Sequence, residues 1–221
     1  MDKKEIIDQT INFVKIELFN AEGGHDWFHI ERVWKLAKLI GKNESADLFI
    51  VELGALLHDI ADAKFYNGDE TIGSKKARSF LKSIEVDELT IQHIENIINH
   101  ISYKNSLTQN NENEYFVSKE LKVIQDADRL DAMGAIGIAR AFNYGGFKNR
   151  ELYNPNIKPN INQSKEVYKK STAPTINHFY EKLLLLKDKM NTNTGQLMAE
   201  ERHVFMKQFL EQFYSEWEAK K

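Results

Sequence analysis

Gly54-Ala55-Leu56-Leu57-His58-Asp59-Ile60-Ala61-Asp62-Ala63-Lys64 is an apolar run that stops abruptly in a histidine and carboxylates. Just upstream, Phe49, Ile50, Leu53, Leu56 and Leu57 recur at helical spacing, which predicts that His58 and Asp59 sit near the end of a buried helix. A polar pair buried there costs free energy unless something neutralises and orients it. A bound cation does both. On a helix Asp62 lies one turn beyond His58 and Asp59, so all three can border one pocket. The competing reading is a helix end whose His and Asp cap the chain and face water. The dipeptide alone does not separate the two.

Composition narrows the choices. A chain of 221 residues has room for one large domain or two small ones and for a sizeable core. With 42% hydrophobic and 29% charged residues it has the make-up of an ordinary globular protein. A net charge of −3 argues against a protein that binds nucleic acid through its overall charge. There is no cysteine, so thiolate zinc sites, iron–sulfur clusters, disulfides and cysteine nucleophiles are excluded. Any metal must then rely on His, Asp, Glu and water. The opening Met1-Asp2-Lys3-Lys4-Glu5 lacks the apolar segment of a signal peptide, and no apolar run approaches a membrane-spanning length. The expectation is a cytoplasmic protein with no membrane partner.

Prolines occur only between Pro155 and Pro174, so the first two-thirds can be helical almost without interruption. Residues 3–19 form an amphipathic pattern ended by Gly23-Gly24. A second helix is predicted over about 26–40 with Gly41 as its C-cap, and a third from near Ser45 delivers His58-Asp59. Helices over about 69–84 and 87–101 follow, then a polar loop at 103–117. Residues 118–144 read as one helix or two abutting ones, with Gly134 and Gly137 permitting close packing. From 145 to 173 the chain loses periodicity, and a loop of that length is often functional. Helices over 174–190 and 196–219 close the sequence. The expected architecture is all-α, a single helical domain over residues 1–221.

Two further segments carry chemistry. Gly24-His25-Asp26-Trp27-Phe28-His29-Ile30-Glu31-Arg32-Val33 places Asp26, His29 and Arg32 three apart on one face. In Val123-Ile124-Gln125-Asp126-Ala127-Asp128-Arg129-Leu130-Asp131-Ala132, the residues Val123, Ile124, Ala127 and Leu130 mark the buried side, so Asp128 and Asp131 lie beside apolar neighbours.

Taken in order, these segments present a His, then His-Asp, then Asp. That pattern closely resembles the HD-domain metal-dependent phosphohydrolase superfamily, with the signature falling on His29, His58, Asp59 and Asp128. The resemblance spans roughly residues 20–145, leaving 146–221 for a substrate loop and C-terminal helices. The extended matches around the three segments are similar to a small bacterial branch, the YpgQ-like proteins, associated with nucleotide pyrophosphohydrolase activity. The resemblance implies a compact HD-domain helical bundle. It also implies one divalent cation held by His29, His58, Asp59 and Asp128. Manganese is the first expectation, with Mg, Fe, Co, Ni or Zn as alternatives. Such a cation makes bound water a usable nucleophile near neutral pH and polarises a phosphoryl oxygen.

Asp62 is the candidate for orienting that water or accepting its proton, and Lys64 for a phosphate contact; their rival role is to pair with each other. Asp26, Arg32 and Asp131 are expected to orient the ligands or form ion pairs rather than touch substrate. His25 is read as a surface histidine, ahead of roles behind the ligands or at a second metal. His100 is either a pocket residue or a helix-end histidine. His93, His178 and His203 are assigned to surface or core. Arg140, Lys148 and Arg150 flank Gly145-Gly146 and are candidate phosphate grips, against the rival reading of a solvated loop with a turn. The stripe Leu210, Phe213, Tyr214 and Trp217 is read as a packing face, including one in a homodimer.

The resemblance implies a small-molecule nucleotide substrate, cleaved at the α–β anhydride to a monophosphate and pyrophosphate. A 5′-phosphatase, a triphosphohydrolase and a phosphodiesterase are alternatives that use the same metal and water. A metal-binding sensor or scaffold is the non-enzymatic alternative. A nucleic-acid-binding module has only scattered Lys and Arg in its favour.

Overall fold

The computed structural model describes residues 2–19, 21, 24–61, 69, 71–101, 116–161 and 171–221. Its regular elements among these residues are helices, as the periodicity predicts. The chain divides into two compact units, 1–128 and 129–221.

In the first unit, each of the first three helices starts at an aspartate that caps it. Asp2 and Glu5 form a reciprocal capping box at α1 (Lys3–Glu17), with Glu5 N donating to Asp2 Oδ1 at 2.8 Å. Ile6, Ile7, Thr10 and Val14 form its buried face, and the Thr10 hydroxyl is satisfied by the Ile6 carbonyl at 2.7 Å. Asp26 caps α2 (Trp27–Asn43), which buries His29, Ile30, Val33, Ala37 and Ile40. Asp47 caps α3 (Leu48–Leu57), accepting from Phe49 N at 2.9 Å.

α3 is apolar except for Glu52, which accepts from Trp34 Nε1 at 2.9 Å and pairs with Lys38. Residues 53–57 are fully or almost fully buried, the mark of a helix surrounded by protein. It packs against α1, α2 and α5 (Glu88–His100). Burying each of Leu53, Leu56 and Leu57 contributes about 1.5–3 kcal/mol. Gly54 admits the next neighbour: a Cβ there would stand 2.6 Å from Ile124 Cδ1 on α6 (Lys119–Asp131). α4 (Ile72–Ser83) pairs with α5, and Arg78 ties them by reaching Glu88 at 2.7 Å and Glu95 at 2.6 Å.

The second unit begins within α6, directly after Asp128, and contains α7 (Gly134–Phe147), α8 (Thr175–Glu181), a 3-10 segment (Leu183–Lys189) and α9 (Asn193–Trp217). Its core is aromatic. Phe142, Phe179, Phe209 and Phe213 pack ring on ring, and Tyr153 joins Phe213, Tyr214 and Trp217. The C-terminal stripe is therefore packed inside this unit, with Leu210 buried and Trp217 still half exposed.

Several boundaries differ from the sequence expectation for local reasons. Gly41 is no C-cap: α2 continues to Asn43, and Gly41 is buried where a Cβ would stand 3.3 Å from Leu48 and Val51. The reversal comes later, at Ser45, whose φ is 53°, so α3 starts at Leu48. Residues 118–144 resolve into two helices, because Gly134 takes a φ of 67° between α6 and α7. Gly145-Gly146 is not a turn but part of the last turn of α7, which ends at Phe147; the left-handed residue comes just after it, at Asn149 with φ 52°. The expected 174–190 helix loosens to 3-10 after Lys182. After α7, the described chain is anchored by Thr175 N to Glu151 O at 2.9 Å and by Arg150 to the Ser171 carbonyl at 2.6 Å. Most of the predicted polar loop at 103–117 lies outside the described residues.

Candidate metal centre

Three helices of the first unit bring His29, His58, Asp59 and Asp128 together. On α2, the Asp26 cap accepts from His29 N at 3.0 Å, which fixes the backbone carrying the imidazole, and His29 is 2% exposed. His58 is the C-cap of α3 and keeps helical angles, with φ −61° and ψ −27°. Its Nδ1–H donates to the Ala55 carbonyl at 2.8 Å, so Nε2 is left as the donor atom. Both imidazoles approach one oxygen: Asp128 Oδ1 is 3.6 Å from His29 Nε2 and 3.9 Å from His58 Nε2. The two rings meet edge to face with centroids 5.5 Å apart. Ligand atoms of His29, His58 and Asp59 all lie within 4.8 Å of one another. Asp128, at 44% side-chain exposure, forms the open side.

This arrangement fits a metal ion. Two donors bonded to one cation at about 2.0–2.2 Å each cannot be further apart than about 4.4 Å, and both the 3.6 and 3.9 Å separations obey that limit. Two imidazoles and two carboxylates also supply the mixed nitrogen–oxygen set that first-row divalent ions accept. The electrostatics point the same way. Burial pushes the Asp59 carboxyl up, but the His25 hydrogen bond and the fields of His58, His25 and His29 outweigh it, leaving Asp59 below the usual carboxylate range.

The other candidates divide. Asp62 and Lys64 lie outside the described residues. Asp26 is the α2 cap behind His29, and Arg32 is half-buried on the same helix. Asp131, 1% exposed in the second unit, accepts from Arg140 at 2.6 Å, so the structure gives Arg140 a carboxylate partner there. Lys148 lies over the Phe147 ring at 4.8 Å. His100 donates through Nδ1 to the Asn96 carbonyl at 2.7 Å and packs against Phe116; its contacts among the described residues do not reach the cluster. His93 meets Ser118 and Glu120, and His178 is held neutral by burial beside Lys182 and Arg150.

The surface reading of His25 is corrected. Its Nδ1 donates to Asp59 Oδ2 at 2.5 Å, across 34 residues of sequence. Helical phase could not have found this contact, because His25 precedes the α2 cap and follows no helical register. The available signal was the Gly24-His25-Asp26 stretch itself, a glycine followed by a capping residue.

A family model described as HD domain matches residues 27–133, which contain all four clustered residues. The Bacillus subtilis protein YpgQ is 39% identical over 207 residues, covering 93% of this chain and 90% of YpgQ. The chain belongs to the HD domain family. Among solved structures of HD relatives, an HD-superfamily hydrolase from Bacillus thuringiensis matches 99% of this chain and 100% of its own at 45% identity, with a TM-score of 0.78. B. subtilis YpgQ in complex with ADP matches 98% of this chain and 97% of its own at 36% identity, with a TM-score of 0.76. As an HD-superfamily hydrolase the chain is a metal-dependent phosphohydrolase, and His29, His58 and Asp59 form its candidate metal-binding group. No described helix is long and apolar enough to cross a membrane.

Proposed function

We propose that this HD-family chain is a nucleoside triphosphate pyrophosphohydrolase, releasing a nucleoside monophosphate and pyrophosphate. The observation that carries the reading is the convergence of the His29 and His58 imidazoles on Asp128 Oδ1, with Asp59 beside the two rings. The ADP held by B. subtilis YpgQ supports a nucleotide as the ligand. His29, His58, Asp59 and Asp128 would hold the ion; the donor set suits several first-row divalent ions, of which manganese is the one proposed, with Mg, Fe, Co, Ni or Zn as alternatives. Bound there, a divalent cation supplies the charge that activates water near neutral pH and withdraws electrons from a phosphoryl group.

The protein's own contribution is geometric. Ala55 fixes the His58 tautomer, Asp26 fixes the His29 backbone, and the half-exposed Asp128 leaves one side of the cluster open to a ligand. Asp62 is the residue proposed to orient the attacking water, and Lys64 to meet a phosphate, both on sequence position alone. The whole chain is taken as the working unit, since its relatives align over 93% or more of it.

The test is metal content of wild type and Asp59→Ala, followed by chromatography of products from deoxynucleoside triphosphates with Mn added. Stoichiometric metal and pyrophosphate with monophosphate in the wild type, both lost in the variant while helical circular dichroism is kept, support the reading. Free phosphate, or tripolyphosphate with nucleoside, overturns the choice of bond. Metal without turnover of any nucleotide overturns the substrate class.

A further inference from the structure

Asp59 has two carboxylate oxygens, and one of them is already engaged. His25 Nδ1–H donates to Oδ2 at 2.5 Å. The backbone on either side of His25 is set by unrelated features. Gly24 has a φ of 111°, a conformation that residues with a side chain rarely adopt, and Asp26 is committed to capping α2. The His25 ring also stands edge-on to His29, centroids 6.0 Å apart, so it borders the same cluster.

The contact is a poor stability device. The His25 side chain is 50% exposed, and an ion pair so open to water contributes about 0–1 kcal/mol. Its effect on a metal ligand is larger, since a partner on a coordinating group typically changes metal affinity about 10- to 100-fold. We propose that His25 is a positioning residue that occupies Asp59 Oδ2 and so presents Asp59 to the ion through its other oxygen alone. A carboxylate held this way is restrained, because rotating it or closing both oxygens on the ion would strain the His25 hydrogen bond. His25 itself stays outside the coordination sphere. The proposal rests on the metal-centre reading above.

The experiment is titration of the metal-free full chain with Mn²⁺, followed by electron paramagnetic resonance, for wild type, Asp59→Ala, His25→Ala and His25→Asn. Asn keeps an N–H donor near the Nδ1 position and removes the rest of the ring. Expected are an unchanged stoichiometry, about 10- to 100-fold weaker binding in His25→Ala, and recovery of most of that loss in His25→Asn. Thermal unfolding of the metal-free variants should match wild type, so a folding defect cannot mimic the result. Equal affinity in wild type and His25→Ala overturns the proposal while leaving the metal centre intact. Equal losses in the Ala and Asn variants, or a reduced stoichiometry, overturn it in favour of direct ligation by His25. If Asp59→Ala binds Mn²⁺ as wild type does, the metal-centre reading itself falls, and the role of His25 falls with it.

Discussion

His58 Nδ1 donates to the carbonyl of Ala55 at 2.8 Å, inside the turn that ends α3. Helix ends leave carbonyls without intrahelical partners, and here the side chain uses one of them to choose its own tautomer. The choice is made by the backbone, before any ion arrives. Metal-free protein with ¹⁵N-labelled histidine should therefore show His58 as the Nδ1–H tautomer at pH 8. A dominant Nε2–H tautomer would mean that the metal, and not Ala55, orients the ring.

Part of the acid sensitivity should trace to one histidine of the second unit. Burial, with Lys182 and Arg150 nearby, pushes His178 down to about 3. Between an ordinary histidine value near 6.5 and about 3, the unfolded chain takes up a proton that the folded one refuses. The stabilisation is complete above that window and is lost progressively as pH falls through it. Urea unfolding at pH 7 and pH 5 should differ by up to about 2 kcal/mol from this group. His178→Leu, which cannot titrate, should flatten that part of the pH dependence; an unchanged slope would assign it elsewhere.

Two glycines of α7 should respond oppositely to alanine. A Cβ at Gly137 would stand 2.3 Å from the Ala132 carbonyl oxygen, a backbone atom that has little room to move. The gain in helix propensity is about 1 kcal/mol and the cost of overpacking reaches about 3 kcal/mol, so Gly137→Ala should destabilise by about 2 kcal/mol. Nothing lies within 4 Å of a Cβ at Gly146, so Gly146→Ala should stabilise by about 0.5 kcal/mol. Denaturant midpoints measure both, and the same sign for the two would contradict the packing described here.

The helices were legible because apolar side chains recur along them with a period that solvent exclusion enforces. The clustering of His29, His58, Asp59 and Asp128 was legible because they sit inside or next to such helices, where spacing predicts a face. What escaped depends on backbone that periodicity does not describe. Gly41 looks like a helix stop, but its missing side chain serves the approach of Leu48 and Val51. Gly145-Gly146 looks like a turn, yet Gly145 lets α7 lie against Thr175, whose Oγ1 would be 2.1 Å from an added Cβ. The Arg140–Asp131 contact is not legible either, because the two residues belong to successive helices and no single helical register relates them. His25 was missed because it stands one residue ahead of a cap, and its partner is 34 residues away.

α3 is both the most thoroughly enclosed helix of its unit and the one whose end supplies two of the four clustered side chains. Drift in its sequence is therefore doubly constrained. A change tolerable for packing would still tilt His58 and Asp59, and a change aimed at the chemistry would disturb the core. Relatives that come to accept different substrates have little freedom to write that difference here. Differences in specificity are expected instead at positions that neither fill the interior nor touch the four clustered side chains.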